Sequence, residues 1–432
     1  MRILIISFVF PPFNSIGGLR VGKTAKYLAE HGHDVRVLTA EGQPYPPTLP
    51  LELPPGKVTY SRWMGISKFA GGTLKEGRHV PPGAVAAKGG LTYTLKKSLG
   101  IFARALLYFP DAYVGWVPFA SRAASQLIEG WRPDVILASS PPPTTLLAAH
   151  RVSSRHRIPW VADLRDLWVD RHYYHQPGWR KYIEEKLERR VLSSAAGLVT
   201  VSSPWAETLR ARFGKFASVV PNGFDPSDYP SHSEVPFRDG RVEIVYTGLV
   251  YQGRQDPSPL FEALRELGPL AEKVRVTFYG TYLHDLRGLA ARYGVDHLVG
   301  VARPVPYKEA LKIQTEADAL LLLLWNDPKE RGVFPAKIFE YIGARRPILA
   351  LGGGGSPAAE FVREKCAGLV TDDPGQIASH LRRWVEQKRE AGSIPGPAGE
   401  IAAGVTREER TRTLEAYLCE VLRANAERAG GR

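Results

Sequence analysis

The chain has 432 residues, of which 44% are hydrophobic and 23% charged, and a formal net charge of +13. Its length exceeds what one hydrophobic core serves, so two domains are expected. No apolar run approaches the ~20 residues of a membrane-spanning helix. The two cysteines, Cys366 and Cys419, make neither a disulfide framework nor a zinc cluster, which fits a reducing cytoplasm. The positive charge favours anionic partners, but no zinc-finger spacing or aromatic RNA-binding signature accompanies it, so nucleic acid is not expected.

The N-terminal half alternates strand and helix. Residues 1–8 read as an apolar strand. Residues 9–18, VFPPFNSIGG, read as a loop ending in the glycine pair Gly17 and Gly18. Residues 20–31 form an amphipathic helix with Val21, Ala25, Leu28 and Ala29 inward, Gly32 stops it, and residues 34–39 form a second strand. Strand, glycine loop, helix, strand is a nucleotide-type half-fold. It is not the dinucleotide fingerprint, because GGLRVG lacks that spacing. Glu41 stands where a dehydrogenase would place its ribose acid, which keeps that weaker alternative open.

Residues 42–90 are rich in Pro, Gly and Lys and show little periodicity, so an irregular insertion is expected there. Residues 91–109, LTYTLKKSLGIFARALLYF, interleave Leu95, Leu99, Phe102 and Leu106 with Lys96, Lys97 and Arg104. Such a basic amphipathic helix suits an anionic membrane surface. It equally suits packing on its own domain with the lysines in water. Helix 119–130, strand 134–140 and a helix reaching His156 follow. Residues 158–168 then read as a strand with a charged turn, Asp163-Leu164-Arg165-Asp166, at its carboxyl end, where open α/β sheets bind ligands. An arginine between two carboxylates is also a common structural ion-pair knot.

Helix 180–192, strand 197–203 and helix 204–213 complete the first domain, expected over 1–220. Pro221-Asn222-Gly223 and Asp225-Pro226 open a turn-rich linker, 221–240. The second domain, 241–404, begins with strand 242–248 ending at Gly248. A helix from about residue 259, strand 274–279 ending at Gly280, strand 297–301, helix 307–314 and strand 319–324 follow. The most informative stretch is 332–362, GVFPAKIFEYIGARRPILALGGGGSPAAEFV. Pro335 suits a first helical position, and Ile338, Phe339 and Ile342 give a short helix its apolar stripe. Residues 348–351 read as a buried strand. Ser356 and Pro357 read as the cap and first residue of another helix. Lys337 and Glu340 share one helix surface, as an exposed ion pair would or as two ligand-binding groups would. Residues 406–429 form a basic helical tail.

The stretch 332–362 resembles the donor-nucleotide motif of the retaining family-4 glycosyltransferases, whose fold is GT-B: α/β, with two Rossmann-like parallel-sheet domains facing a central cleft. The pairing of Ser139-Ser140-Pro141-Pro142 with PWVADLRDLW at 159–168 resembles a family-4 subgroup acting in cell-envelope polysaccharide and glycolipid assembly. The resemblance implies transfer of a sugar, with retention, from a UDP- or GDP-linked donor to a hydroxyl acceptor, lipid-linked or a polysaccharide precursor. It implies that Glu340 accepts the two ribose hydroxyls and that Lys337 and Arg254 hold the diphosphate as it leaves. Gly17 and Gly18 would approach that diphosphate, and Gly248, Gly280 and Ile338 would line the donor site. Asp163, Arg165 and Asp166 would face the cleft, a carboxylate orienting the acceptor hydroxyl and Arg165 an acceptor phosphate.

No cofactor or metal is implied. The last helix, 405–432, would return to the first domain, and the enzyme would be cytoplasmic, peripheral on the inner face of the membrane through 91–109. Two departures stand out: Gly332 occupies the place of the family's other glutamate, and Leu249 stands near that of a second arginine. A sugar-nucleotide epimerase of similar fold and a non-catalytic nucleotide-sugar-binding partner remain the alternatives.

Overall fold

The computed structural model describes residues 1–65, 108–170, 176–230, 240–280, 285–327, 330, 332–397 and 399–430. The expected basic helix at 91–109 therefore lies, but for its last two residues, outside the described residues. The chain forms two compact units, Met1–Pro221 with Thr411–Arg432, and Asn222–Arg410.

The first unit contains β1 (Arg2–Ile6), α1 (Ile16–Glu30), β2 (Asp34–Ala40), β3 (Val58–Ser61), α2 (Val117–Gly130), β4 (Val135–Ser140), α3 (Thr144–His156), β5 (Trp160–Leu164), α4 (Gly178–Ser193), β6 (Gly197–Thr200), α5 (Ser203–Phe213) and β7 (Ala217–Val219). Its seven strands run in the order β3-β2-β1-β4-β5-β6-β7, and every pairing is parallel. Ile5 pairs with Val37 on one side and Leu137 on the other. The run from Ile3 to Ile6 is wholly buried, as a central parallel strand covered on both faces must be.

The second unit contains β8 (Val242–Thr247), α6 (Ser258–Glu266), β9 (Val274–Tyr279), α7 (Leu286–Ala291), β10 (Val299–Ala302), α8 (Tyr307–Glu316), β11 (Ala319–Leu323), α9 (Lys337–Ala344), β12 (Ile348–Leu351), α10 (Pro357–Glu364), β13 (Gly368–Val370) and α11 (Pro374–Ala391). Its strand order is β10-β9-β8-β11-β12-β13, again all parallel. One face of this sheet packs Ile244, Leu321 and Leu349 under α6 and α11. The other packs Val245, Leu320 and Ile348 under α9 and α10.

The last helix, α12 (Arg407–Gly430), gives Leu414, Tyr417, Leu418 and Val421 to the core of the first unit, beside Val35, Val161 and Val199. The Tyr417 hydroxyl accepts from the Leu198 amide at 3.1 Å and donates to the Phe216 carbonyl at 3.1 Å. The Glu415 carboxylate meets the rings of His31 and His33, each at 2.8 Å.

The structure corrects the sequence reading in several places. Gly17 and Gly18 are not in a loop: they form the first turn of α1, because the Ser15 hydroxyl accepts from the Gly18 amide at 2.9 Å and caps the helix there. Strand β3 lies within the stretch expected to be irregular, and β13 and α11 add elements that were not anticipated. Pro335 precedes α9 rather than starting it; Ala336 is the cap, and Pro335 accepts from the Ile338 amide at 3.3 Å. Ser356 and Pro357 do cap and start α10.

A buried ion pair joins α11 to the second sheet. Lys388 binds Asp318, each 1% exposed, and Asp318 also accepts from the Glu243 amide at 2.8 Å. Removing one partner of such a pair strands a desolvated charge. Asp318→Ala is therefore expected to cost about 3–5 kcal/mol in urea unfolding, and the double change Asp318→Ala, Lys388→Met to recover most of that loss. A single variant as stable as the parent would show the pair to be solvated.

Candidate active site

Both sheets reverse their order beside their first strand, between β1 and β4 and between β8 and β11. At such a switch point, connections leave the carboxyl ends of neighbouring strands toward opposite faces, and the gap is where open α/β sheets bind ligands. The candidate residues of each unit fall at this edge.

In the first unit, position 17 is a glycine whose backbone passes close to Arg165. A Cβ at position 17 would run into the Arg165 guanidinium. Arg165 follows β5 directly. Its Nε donates to the Ser140 carbonyl at 3.1 Å, the last of β4, and its Nη2 to the Pro141 carbonyl just beyond it at 2.7 Å. Burial pulls its pKa below the ordinary arginine value, against the raising influence of Asp163 and Asp166. Gly18 is equally constrained: a Cβ there would meet the Ser15 hydroxyl at 2.9 Å and the Phe13 carbonyl at 3.1 Å.

Asp163 departs from the expected picture. It is 5% exposed rather than facing open space. Its Oδ1 accepts from Arg20 Nη2 at 3.1 Å, and its Oδ2 from Arg20 Nε at 3.3 Å and from the Ser139 hydroxyl at 2.8 Å. Arg20 also donates to the carbonyls of Val220 and Pro221. The ion-pair knot thus exists, with Arg20 as the hydrogen-bonded partner of Asp163. Asp166 is half-buried beside it. The sequence offered one hint of Arg20: it adjoins the inward-facing Val21 on an otherwise apolar helix face.

In the second unit, Gly248 follows β8 with φ +121°. Only glycine adopts this readily, and a Cβ would lie 2.5 Å from the Lys337 Nζ. Gly280 follows β9 with φ +99° and approaches the Gly248 carbonyl. Lys337 is the first residue of α9. It also lies over the Tyr246 ring, 5.4 Å from the centroid. Arg254 stacks on Trp325 at 4.7 Å, and its carbonyl accepts from the Asn326 amide at 2.9 Å. The structure thus brings Gly248, Gly280 and Lys337 together. Ile338 is fully buried in the core, so its side chain is not available to a ligand.

Glu340 is half-buried in the first turn of α9, three residues after Lys337. Tyr229 donates to its backbone carbonyl at 2.9 Å, and Gln314 donates to its Oε2 at 3.2 Å. Gly332, where the resembled family has a glutamate, is buried. The nearby Glu330 turns its carboxylate onto the Gly332 and Val333 amides, at 2.8 and 2.7 Å. Gln314, Trp325 and Tyr246 were not anticipated. Gln314 alone carried a signal, a polar residue three positions after Leu311 on the inward face of its helix.

Among the described residues, no group of three or more His, Cys, Asp or Glu is arranged to hold a metal ion, and no helix is long and apolar enough to cross a membrane.

Two parallel sheets, each with a switch point, match the GT-B fold. Residues 17–223 match the family model described as a glycosyl transferase 4-like domain. Over that stretch the chain carries a glycosyl transferase 4-like domain. No curated protein matches it in sequence. Among solved structures, Anabaena HepE in complex with UDP-glucose is 14% identical, with a TM-score of 0.60 over 97% of this chain and 100% of that one. Sucrose-phosphate synthase from Thermosynechococcus elongatus is 14% identical, with a TM-score of 0.56 and full coverage of both chains. A UDP-N-acetylglucosamine 2-epimerase described as putative, from Listeria monocytogenes, is 12% identical, with a TM-score of 0.51 over 97% and 96%. At these identities the likeness is one of fold.

The contact between Gly17 and Arg165 yields a test. Alanine for glycine in a helix ordinarily gains about 1 kcal/mol. Here Gly17→Ala is expected to lower the melting temperature, and Arg165→Ala in the same chain to raise it again. A Gly17→Ala variant more stable than the parent would mean that Arg165 moves aside at no cost.

Proposed function

We propose that the protein transfers a sugar, with retention of anomeric configuration, from a nucleoside diphosphate sugar to a hydroxyl acceptor. The observation that carries this reading is the pairing of Lys337 with Gly248 at the switch point of the second sheet, with Glu340 next along the same helix face. The half-buried Glu340 carboxylate suits two vicinal ribose hydroxyls, since each oxygen can accept more than one hydrogen bond. The Lys337 ammonium at the start of α9 suits the diphosphate. Arg254, held flat by Trp325, supplies a second cation.

As the bond between the sugar C1 and the phosphate oxygen breaks, charge builds on that oxygen, and preplaced cations lower the barrier. The acceptor oxygen forms the new bond to C1, and its proton passes to the departing phosphate oxygen. No metal enters this reading, because Lys337 and Arg254 take the neutralising role. Arg165 and Asp166 serve the acceptor, with a lipid-linked phosphate or polysaccharide precursor as the class. Asp163 holds Arg20 in place and acts on the acceptor indirectly. UDP-linked sugars are the first donors to try, given the UDP-glucose complex of the Anabaena relative.

An epimerase reading draws on the Listeria likeness in fold and needs no acceptor. Labelled donor incubated without acceptor separates the two: an epimerase converts the sugar, whereas a transferase leaves it unchanged until acceptor is added. NMR of the product anomer then tests retention. Nucleotide diphosphates should raise the melting temperature of the parent. Glu340→Ala is expected to weaken the nucleotide that does so by roughly ten- to a hundred-fold, about 1.5–3 kcal/mol for hydrogen bonds to a charged group. Unchanged affinity in titration calorimetry would remove Glu340 from the site.

A further inference from the structure

We propose that Gln314 is the positioning residue of the donor site: its side-chain amide holds the Glu340 carboxylate in the orientation that grips the ribose. The inference rests on the reading of Glu340 given above.

Gln314 lies in the last turn of α8 and is fully buried. Its Nε2 carries two hydrogens, and both are engaged. One goes to the Thr247 hydroxyl at 2.9 Å, the other to Glu340 Oε2 at 3.2 Å. Thr247 ends β8 and immediately precedes Gly248, against which Lys337 packs. A single amide therefore ties the strand end that shapes the diphosphate site to the acid of the ribose site. Among the described residues it is the hydrogen-bond partner of the Glu340 carboxylate, since Tyr229 reaches only the backbone carbonyl.

The other atom of the amide shows what this arrangement serves. Gln314 Oε1 is buried and has no hydrogen-bond partner among the described residues. A buried amide oxygen without a donor is costly, and native structures leave few of them. Turning the amide over would let the Thr247 hydroxyl donate to that oxygen. It would also set the oxygen against the Glu340 carboxylate. The orientation seen is thus the one that presents a donor to Glu340 Oε2. A neutral donor has a further merit: it steers the carboxylate without cancelling its charge, and it leaves Oε1 of Glu340 free to accept from the ligand.

The test uses the full chain and titration calorimetry with UDP and GDP, followed on whichever nucleotide the parent binds. Gln314→Met keeps the length of the side chain and removes the donor. It is expected to weaken nucleotide binding about ten-fold. The double variant with Glu340→Ala is expected to bind no worse than Glu340→Ala alone, because Gln314 acts through Glu340. Circular dichroism checks the fold. If Gln314→Met does not fold, Gln314→Glu decides. There two carboxylates face each other, so binding is expected to recover as the pH falls from 8 to 5.5, while the parent changes little.

The other groups around Glu340 are Lys337 on its own helix, Tyr307 on α8, Tyr229, and the Asp225, Asp228 and Arg407 that act on those rings. Burial raises both tyrosines well above their usual range, so they stay neutral across this window. Parent-like affinity in Gln314→Met while Glu340→Ala binds weakly overturns the positioning role. So do losses that multiply in the double variant, or a flat pH profile in Gln314→Glu. Parent-like binding in Glu340→Ala instead brings down the ribose reading, and this inference with it.

Discussion

A sheet whose strands all run one way, covered by helices on both faces, has no free surface for chemistry except the ends of its strands. Both units of this chain live under that constraint. Central strands β4 and β11 are buried throughout, and the candidate side chains crowd onto the carboxyl edge. Arg165 follows β5, Gly248 follows β8 and Gly280 follows β9, each as the very next residue. Lys337 and Glu340 sit in the first turn of the helix that carries the chain from β11 to β12. The order reversal in each sheet selects which ends matter, because only there do neighbouring connections diverge and leave room.

The two units solve the local problem in the same way. Each sets a glycine where a side chain would block a cation. At Gly17 the missing Cβ makes room for the Arg165 guanidinium, and at Gly248 it makes room for the Lys337 ammonium. The backbones differ: Gly17 is ordinary helix, while Gly248 takes a left-handed φ. Glycine is needed for space at the first position and for space and conformation at the second. In both cases the positive group comes from a different β/α connection than the glycine, so neither contact forms until its sheet has assembled.

How much of this was legible follows from the range of the interactions. The alternation of apolar strands and striped helices is a local signal, and it carried the fold. Strands Val274–Tyr279 and Ile348–Leu351 fell where their apolar runs placed them, and the Ser356 cap with Pro357 fixed a helix start. The family resemblance, carried by the Lys337 and Glu340 stretch, agrees with the domain found at 17–223. Other features are set by partners far away in sequence. Asp163 looked like the neighbour of Arg165, yet it hydrogen-bonds Arg20, 143 positions upstream. Gly17 and Gly18 looked like loop residues because of their low helix propensity, yet the capping Ser15 just before them outweighs it. Strand β3 was hidden by its four-residue length inside a Pro- and Gly-rich stretch. Helix α11 has a clear stripe at Ile377, Leu381, Trp384 and Val385 and could have been read from it.

The return of α12 to the first unit bears on how the molecule is made. Leu414, Leu418 and Val421 complete a core begun by Ile3 and Ile5, and they leave the ribosome after the whole second unit. Until then the nascent first sheet presents an uncovered apolar flank beside Val161 and Val199. The second unit, contiguous from Asn222 to Arg410, has every strand of its own sheet to hand before synthesis ends. The part translated first is thus the part finished last.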